Sequence, residues 1–286
     1  MYDRILLPVD GSEGATEAVR HVVDLAQTWD SAVTVCFVAD TNQDSLTRIG
    51  GEIVDTLVDA GEEIVEEAAQ PLAAAGVDYD TDVVQGGPPR TIVDYATRYD
   101  FDLIAMPTHA RRGLSRRLLG SVTERVLRLA PMPVLTVRTT EPTRTTFPYE
   151  RIVLPTDGSD TATAAVRHGL DLAATLDATP HVLSVASDSL LGLGSTLTGS
   201  DPADAAQSVV EEGAAAARER GLDSVVTAVE RGSPPAAIRD YVDAHEIDAV
   251  VIGTTGQRGL ERVFLGSVAE TVVRTAPVPV VSVAGH

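Results

Sequence analysis

The sequence predicts an α/β fold written twice, each copy a parallel sheet with helices on both faces. Self-similarity is the first observation behind this. "RILLPVDGSEGATEAVRHVVDLA" from Arg4 aligns with "RIVLPTDGSDTATAAVRHGLDLA" from Arg151, with 16 of 23 positions identical. Further on, "GGPPRTIVDYATRYDFD" from Gly86 matches "GSPPAAIRDYVDAHEID" from Gly232. The second observation is that short apolar runs alternate with segments of helical spacing. The third is that those runs are nearly continuous in apolar character, as strands covered on both faces must be. A chain of 286 residues suits two domains at roughly 150 residues each. The expected boundaries are 1–138 and 150–286, joined by a Thr- and Pro-rich linker at 139–149.

Each element of the first copy has its own signal. "RILLPV" reads as a buried strand, and "SEGATEAVRHVVDLAQTW" as a helix with Gly11 or Ser12 near its cap. "AVTVCFVA" is a second strand. "EIVDTLVDAGEEIVEEAAQPLAAAG" has the spacing of an acidic amphipathic helix that ends at Gly76. "VDYDTDVVQ" alternates as a strand does, "PPRTIVDYATRY" opens a helix with proline in its first turn, and "FDLIAMP" is another apolar strand. A helix "GSVTERVLRLA" and a strand "PVLTV" close the unit. The second copy repeats this order and ends in "VPVVSV".

Composition narrows the function. No apolar run approaches bilayer length, and "MYDRILLPVD" has neither a basic region nor an apolar core of the secretory kind. The expectation is a cytoplasmic protein. Cys36 is the single cysteine and lies in an apolar run, which reads as a core residue rather than a nucleophile. His21 and His168 occupy matching helical positions and read as shared packing. The formal net charge is -20, and with no lysine in the chain all the positive charge is arginine. Such a surface repels nucleic acid and anionic membranes, so neither is an expected partner. Acidic, lysine-free composition resembles that of halophilic proteins, whose salty surroundings screen the self-repulsion. Without lysine there is no Walker-type phosphate lysine and no Schiff-base chemistry.

In parallel sheets ligands bind at the carboxyl ends of the strands, where strand order reverses. That points to the segments after strands one and four of each copy. In the second copy, "DAVVIGTTGQRGLERVFLGSV" leaves a strand at Gly253 and enters a helix at Gly266-Ser267. A helix N-terminus reached through glycines offers backbone N–H groups and a positive dipole end, for which phosphate is a natural guest. Glycine at 253 and 256 keeps Cβ atoms out of the approach. Ser267 is either a cap or a phosphate donor, and Asp157 in "PTDGS" is either a cap or a nucleotide or metal contact. Arg258 is solvated surface or a phosphate contact.

The run Gly253-x-x-Gly256, then Gly266-Ser267, together with "RIVLPTDGSD", "LGSVAETVVRTAPVPVVSV" and the duplication, resembles the ATP-binding branch of the universal stress protein family along nearly the whole chain. The resemblance implies two Rossmann-like domains of the adenine nucleotide alpha hydrolase type. Each would hold a five-stranded parallel sheet, the two pairing through their last strands as an internal pseudo-dimer; a homodimer is also open. It carries nucleotide contacts onto Pro155, Thr156 and Asp157, onto Val185 at the end of strand two, and onto Gly253, Thr254, Gly256, Arg258, Gly266, Ser267 and Val268. The implied ligand is ATP, ADP or AMP, with Mg²⁺ or Mn²⁺ the metals that suit phosphate oxygens.

The first copy departs from that pattern. Asp10, Gly120 and Ser121 remain, but Pro107 and Ala110 stand where the second copy has glycine. Proline has no N–H and cannot adopt positive φ, and alanine adds a Cβ. Such a change is worth about 5–150-fold in affinity. The first site is therefore expected to be weak or empty, unless Arg111 and Arg112 compensate. Asp188 to Asp201 is either a lid or a plain connection. Three functions compete: a nucleotide-binding stress regulator acting through protein partners, an interaction module with a vestigial site, and a slow ATP hydrolase. The first is the expectation.

Overall fold

The computed structural model describes residues 1–41, 46–49, 52–108, 119–138, 143–186, 202–254 and 265–285. The chain divides into two compact units, Met1–Thr139 and Thr140–His286. In the first, β1 (Arg4–Val9), α1 (Glu13–Trp29) and β2 (Ala32–Asp40) are followed by a hairpin of β3 (Leu46–Ile49) and β4 (Glu52–Asp55). Then come α2 (Thr56–Ala75), β5 (Tyr79–Gly86), α3 (Pro88–Arg98), β6 (Leu103–Pro107), α4 (Ser121–Leu129) and β7 (Val134–Val137). The second unit has β8 (Arg151–Pro155), α5 (Asp160–Leu176), β9 (Thr179–Ala186), α6 (Pro202–Glu219), β10 (Val226–Arg231), α7 (Pro234–Ala244), β11 (Ala249–Gly253), α8 (Ser267–Thr275) and β12 (Val280–Val283).

Within the first unit the strands run β5-β2-β1-β6-β7, all parallel. Within the second they run β10-β9-β8-β11-β12, again all parallel. Helix α1 packs on α2 and α3 on α4; likewise α5 on α6 and α7 on α8. With right-handed crossovers, the reversal of strand order sends each pair to its own face of the sheet. The central strands are buried on both sides: Ile5, Leu6, Leu7, Ile104, Ile152, Leu154, Val250 and Val251 are all sealed from water. This is why they read as unbroken apolar runs. At the amino ends, one carboxylate oxygen of Asp102 accepts from the N–H groups of Asp3 and Arg4, and Asp248 does the same for Glu150 and Arg151.

One element differs from the sequence reading. Residues 52–55 are a strand, not the start of α2. Ile53 and Val54 are β-branched, which disfavours helix, and the antiparallel register Arg48↔Ile53 and Thr47↔Val54 gives them ladder partners. The helix does end as expected: Gly76 takes φ 70°, and the N–H groups of Gly76 and Val77 close on Ala73 and Leu72. In the linker, residues 143–149 are tied to the second unit. Arg144 donates its N–H to the Pro277 carbonyl at 2.7 Å, and Tyr149 is buried.

Candidate functional site

Strand order reverses between β1 and β6 in the first unit and between β8 and β11 in the second, so the crevices lie after strands one and four. A backbone feature opens them. The Thr156 N–H bonds the Leu183 carbonyl of β9 at 2.8 Å. Alternation along β8 then directs the nitrogen of Pro155 toward β11, where it has no hydrogen to give. The β8–β11 register accordingly stops at Val250↔Val153. In the first unit the β1–β6 register stops at Leu6↔Ile104, two residues before Pro8. Proline in strand one thus ends the ladder at the point where a ligand would enter.

Across that gap the two units differ. Val250 and Thr254 send their N–H groups to Pro279 and Val283 on the β12 side, so alternation turns the Gly253 N–H toward β8. In the first unit, Ile104 and Thr108 bond Pro133 and Val137 in the same way, which turns position 107 toward β1. Its proline brings no donor. The Pro107 carbonyl is further tied down, accepting from the Thr123 hydroxyl at 3.0 Å; the second unit has Ala269 at the matching place.

The turn after strand one is the same in both units. Asp157 Oδ1 accepts the Ser159 N–H at 3.1 Å, and Asp10 Oδ1 accepts the Ser12 N–H at 3.1 Å. Gly158 and Gly11, the middle residues of these Asx turns, take positive φ, 76° and 73°, which glycine adopts without steric cost. The helix caps differ. Ser159 accepts the Ala162 N–H with its side chain, whereas Ser12 makes no such bond. Asp157 is exposed and Thr156 nearly buried, its hydroxyl accepting the Gly158 N–H at 3.2 Å. Val185 is half-buried near the end of β9, in register with Glu230 of the edge strand β10.

The segment after strand four is closed at its base by one bond in each unit. Gly266 donates its N–H to the Thr254 carbonyl at 2.7 Å, and Gly120 to Thr108 at 2.9 Å. Both glycines are N-caps in extended backbone, φ −62° and −61°, without a side-chain cap. The amides of Ser267 and Val268 thus open α8 in a turn that cannot satisfy them internally; Ser267 is exposed, as is Ser121. Gly256, Arg258, Ala110, Arg111, Arg112 and the segment Asp188 to Asp201 lie outside the described residues.

The structure gives Gly253 a reason that the sequence reading missed. Its φ is not positive; it closes strand β11, paired with Val283. A Cβ there would lie 3.0 Å from the carbonyl carbon, the oxygen and the Cγ2 of Thr161, in the first turn of α5. The close approach is therefore to a helix. The signal was present in the repeat: position 14, which matches Thr161, is glycine in the copy that carries Pro107.

The remaining candidates fall as their burial dictates. Cys36 is sealed in β2, where burial and then the Asp82 charge push its thiol up to about 12, so it stays protonated. His21 is buried in α1, and burial pushes His168 below the usual histidine range against an opposing pull from Asp171. Among the described residues, no group of three or more His, Cys, Asp or Glu side chains is gathered to hold a metal. Nor is any helix among them long and apolar enough to cross a membrane.

Comparison with known proteins agrees with this architecture. The universal stress protein family model matches residues 1–138 and again 148–284. A universal stress protein of Methanocaldococcus jannaschii is 34% identical over 141 residues, which cover 48% of this chain and 83% of that one. The stress response protein NhaX of Bacillus subtilis is 29% identical over 163 residues, covering 48% of this chain and 98% of its own. A solved universal stress protein of Archaeoglobus fulgidus spans 99% of this chain and 96% of its own, with a TM-score of 0.73 at 24% identity, a likeness of fold. The chain belongs to the universal stress protein family and carries the family domain twice.

Proposed function

We propose that the second unit binds an adenine nucleotide, and that the protein acts as a stress-response regulator through nucleotide-dependent contacts with protein partners. The observation that carries this reading is the asymmetry of the two crevices. In the second, the Gly253 N–H faces the gap that Pro155 opens, and the chain returns at Gly266 into a helix with no side-chain cap. Phosphate oxygens would accept from the amides of Ser267 and Val268 at the positive end of α8. In the first, proline faces proline and Thr123 occupies the Pro107 carbonyl. The nucleotide therefore belongs to the second unit, and the first serves mainly as scaffold.

On this reading ATP lies across the carboxyl end of the second sheet, its adenine toward Val185 and its phosphates toward α8. Gly256 and Arg258 would complete the phosphate contacts. Mg²⁺ or Mn²⁺ accompanying the phosphates would meet the carboxylate of Asp157, which is exposed at the mouth. The Asx turn that Asp157 makes is identical to that of Asp10, so the turn alone does not distinguish the units. The backbone donor does.

A titration with a fluorescent ATP analogue tests this. The full chain is expected to bind saturably, and Gly253→Pro to weaken binding by about 10-fold or more, since one donor to a charged phosphate is lost. Pro107→Gly in the first unit should leave that affinity unchanged. Binding that survives Gly253→Pro intact would overturn the assignment.

A further inference from the structure

We propose that Thr161 is the positioning residue of the second crevice: the first turn of α5 at Thr161, its backbone carbonyl together with its Cγ2, sets where the end of β11 lies, and that contact is what requires glycine at 253. The nucleotide arm of this proposal rests on the function proposed above; the packing arm does not.

Two glycines, distant in sequence from each other and from Thr161, converge on that one residue. A Cβ at Gly253 would press on the Thr161 backbone and its Cγ2 at 3.0 Å, tighter than a packed Cβ normally tolerates. A Cβ at Gly285 would collide with Thr161 Oγ1 and meet its Cβ at 3.2 Å. Thr161 is half-buried in the first turn of α5, immediately after the Asp157-Gly158-Ser159 turn. It therefore links the turn after strand one to the end of strand four.

The first copy exchanges the volumes. Gly14 stands at the matching helix position and Pro107 at the strand end, by the register that pairs Pro107 with Val137 and Gly253 with Val283. One copy has threonine on the helix against glycine at the strand end; the other has glycine on the helix and proline at the strand end. Volume-conserving exchange is what a packed contact tolerates best, whereas enlarging one side alone forces a shift. Pro107 thus repacks the contact while also deleting the donor, and the two effects separate by mutation. Alanine at 253 keeps its N–H, and proline does not.

The experiment is a double-mutant cycle on the full chain: wild type, Thr161→Gly, Gly253→Ala and the pair, read by thermal midpoint without nucleotide and by affinity for ATP. Gly253→Ala is expected to lower the midpoint by about 3–8 °C beside Thr161, and by less in the Thr161→Gly background, where the Cγ2 contact is gone and glycine lets the remaining backbone contact yield. ATP affinity should fall about 5–30-fold in Gly253→Ala and recover by about 3-fold or more in the pair. Gly253→Pro in the Thr161→Gly background should recover midpoint in the same way but not affinity. Additive midpoint losses would overturn the proposal. Coupled midpoints with affinity lost in the pair would overturn the positioning role. If wild type itself binds no ATP, the proposed function falls, while the midpoints still decide the packing claim. Should Gly253→Ala fail to fold, the converse cycle applies. Gly14→Thr should cost several degrees beside Pro107 and little beside Pro107→Gly; equal losses would overturn the exchange.

Discussion

Ser12 and Ser159 occupy the same position in the two copies, yet only Ser159 caps its helix through its side chain. Ser159→Ala should therefore cost about 1 kcal/mol in urea denaturation, the usual worth of an N-cap. Ser12→Ala should cost less than half as much, because the Ser12 hydroxyl is buried with no partner among the described residues and its removal relieves that burden. Equal losses would contradict the cap assignment. Single residues also show how far the site was legible. Asp157, Gly253 and Gly266 could be placed from sequence, because each sits at the end of a strand or the start of a helix whose pattern is local. Thr161 and Gly285 could not, since their contact joins elements far apart in the chain and neither belongs to a spaced motif. Pro155 was expected from the resemblance as a nucleotide contact. Its effect, ending the β8–β11 ladder, follows only once strand order is known.

Among the elements, the strands and most helices were legible because burial on both faces leaves an unbroken apolar run and one-sided burial leaves a helical stripe. The hairpin β3–β4 was not. Its second strand borders a strong amphipathic helix, and its ladder partner lies in a segment without strand alternation. The α7–β9 contact carries a prediction of its own. The His181 ring nitrogen Nδ1 and the Tyr241 hydroxyl are 3.0 Å apart, and His245 lies against the Tyr241 ring. Burial, then the charges of His245 and Arg151, push His181 down to about 4. In the unfolded chain it protonates near its ordinary value of about 6.5. Between those limits the unfolded state holds the extra proton, so stability falls as pH drops from 6.5 toward 4, and this contribution is flat above. His181→Gln should show a shallower loss over that window in thermal denaturation. An unchanged slope would contradict the cause. In the first unit, Thr123→Ala releases the Pro107 carbonyl and should cost about 1 kcal/mol by denaturant midpoint, with no effect expected at Ala269 of the second unit.

For the whole molecule the dominant facts are duplication and charge. A net charge of -20 in a chain without lysine makes self-repulsion a term in stability. Raising ionic strength from about 0.1 M to 1 M shortens the screening length from about 10 to 3 Å, so the thermal midpoint should rise; a midpoint that falls with salt would contradict this. Duplication makes each unit the control for the other: same strand order, same Asx turn, same closing bond from Gly266 or Gly120, different donors at the gap. The central claim is that this difference decides where nucleotide binds. Its most direct measurement is the number of ATP molecules bound per chain, by equilibrium dialysis of radiolabelled ATP with Mg²⁺ in molar salt. The account predicts one site per chain, weakened by Gly253→Pro and untouched by Pro107→Gly; two equivalent sites, or one site that survives Gly253→Pro, would contradict it.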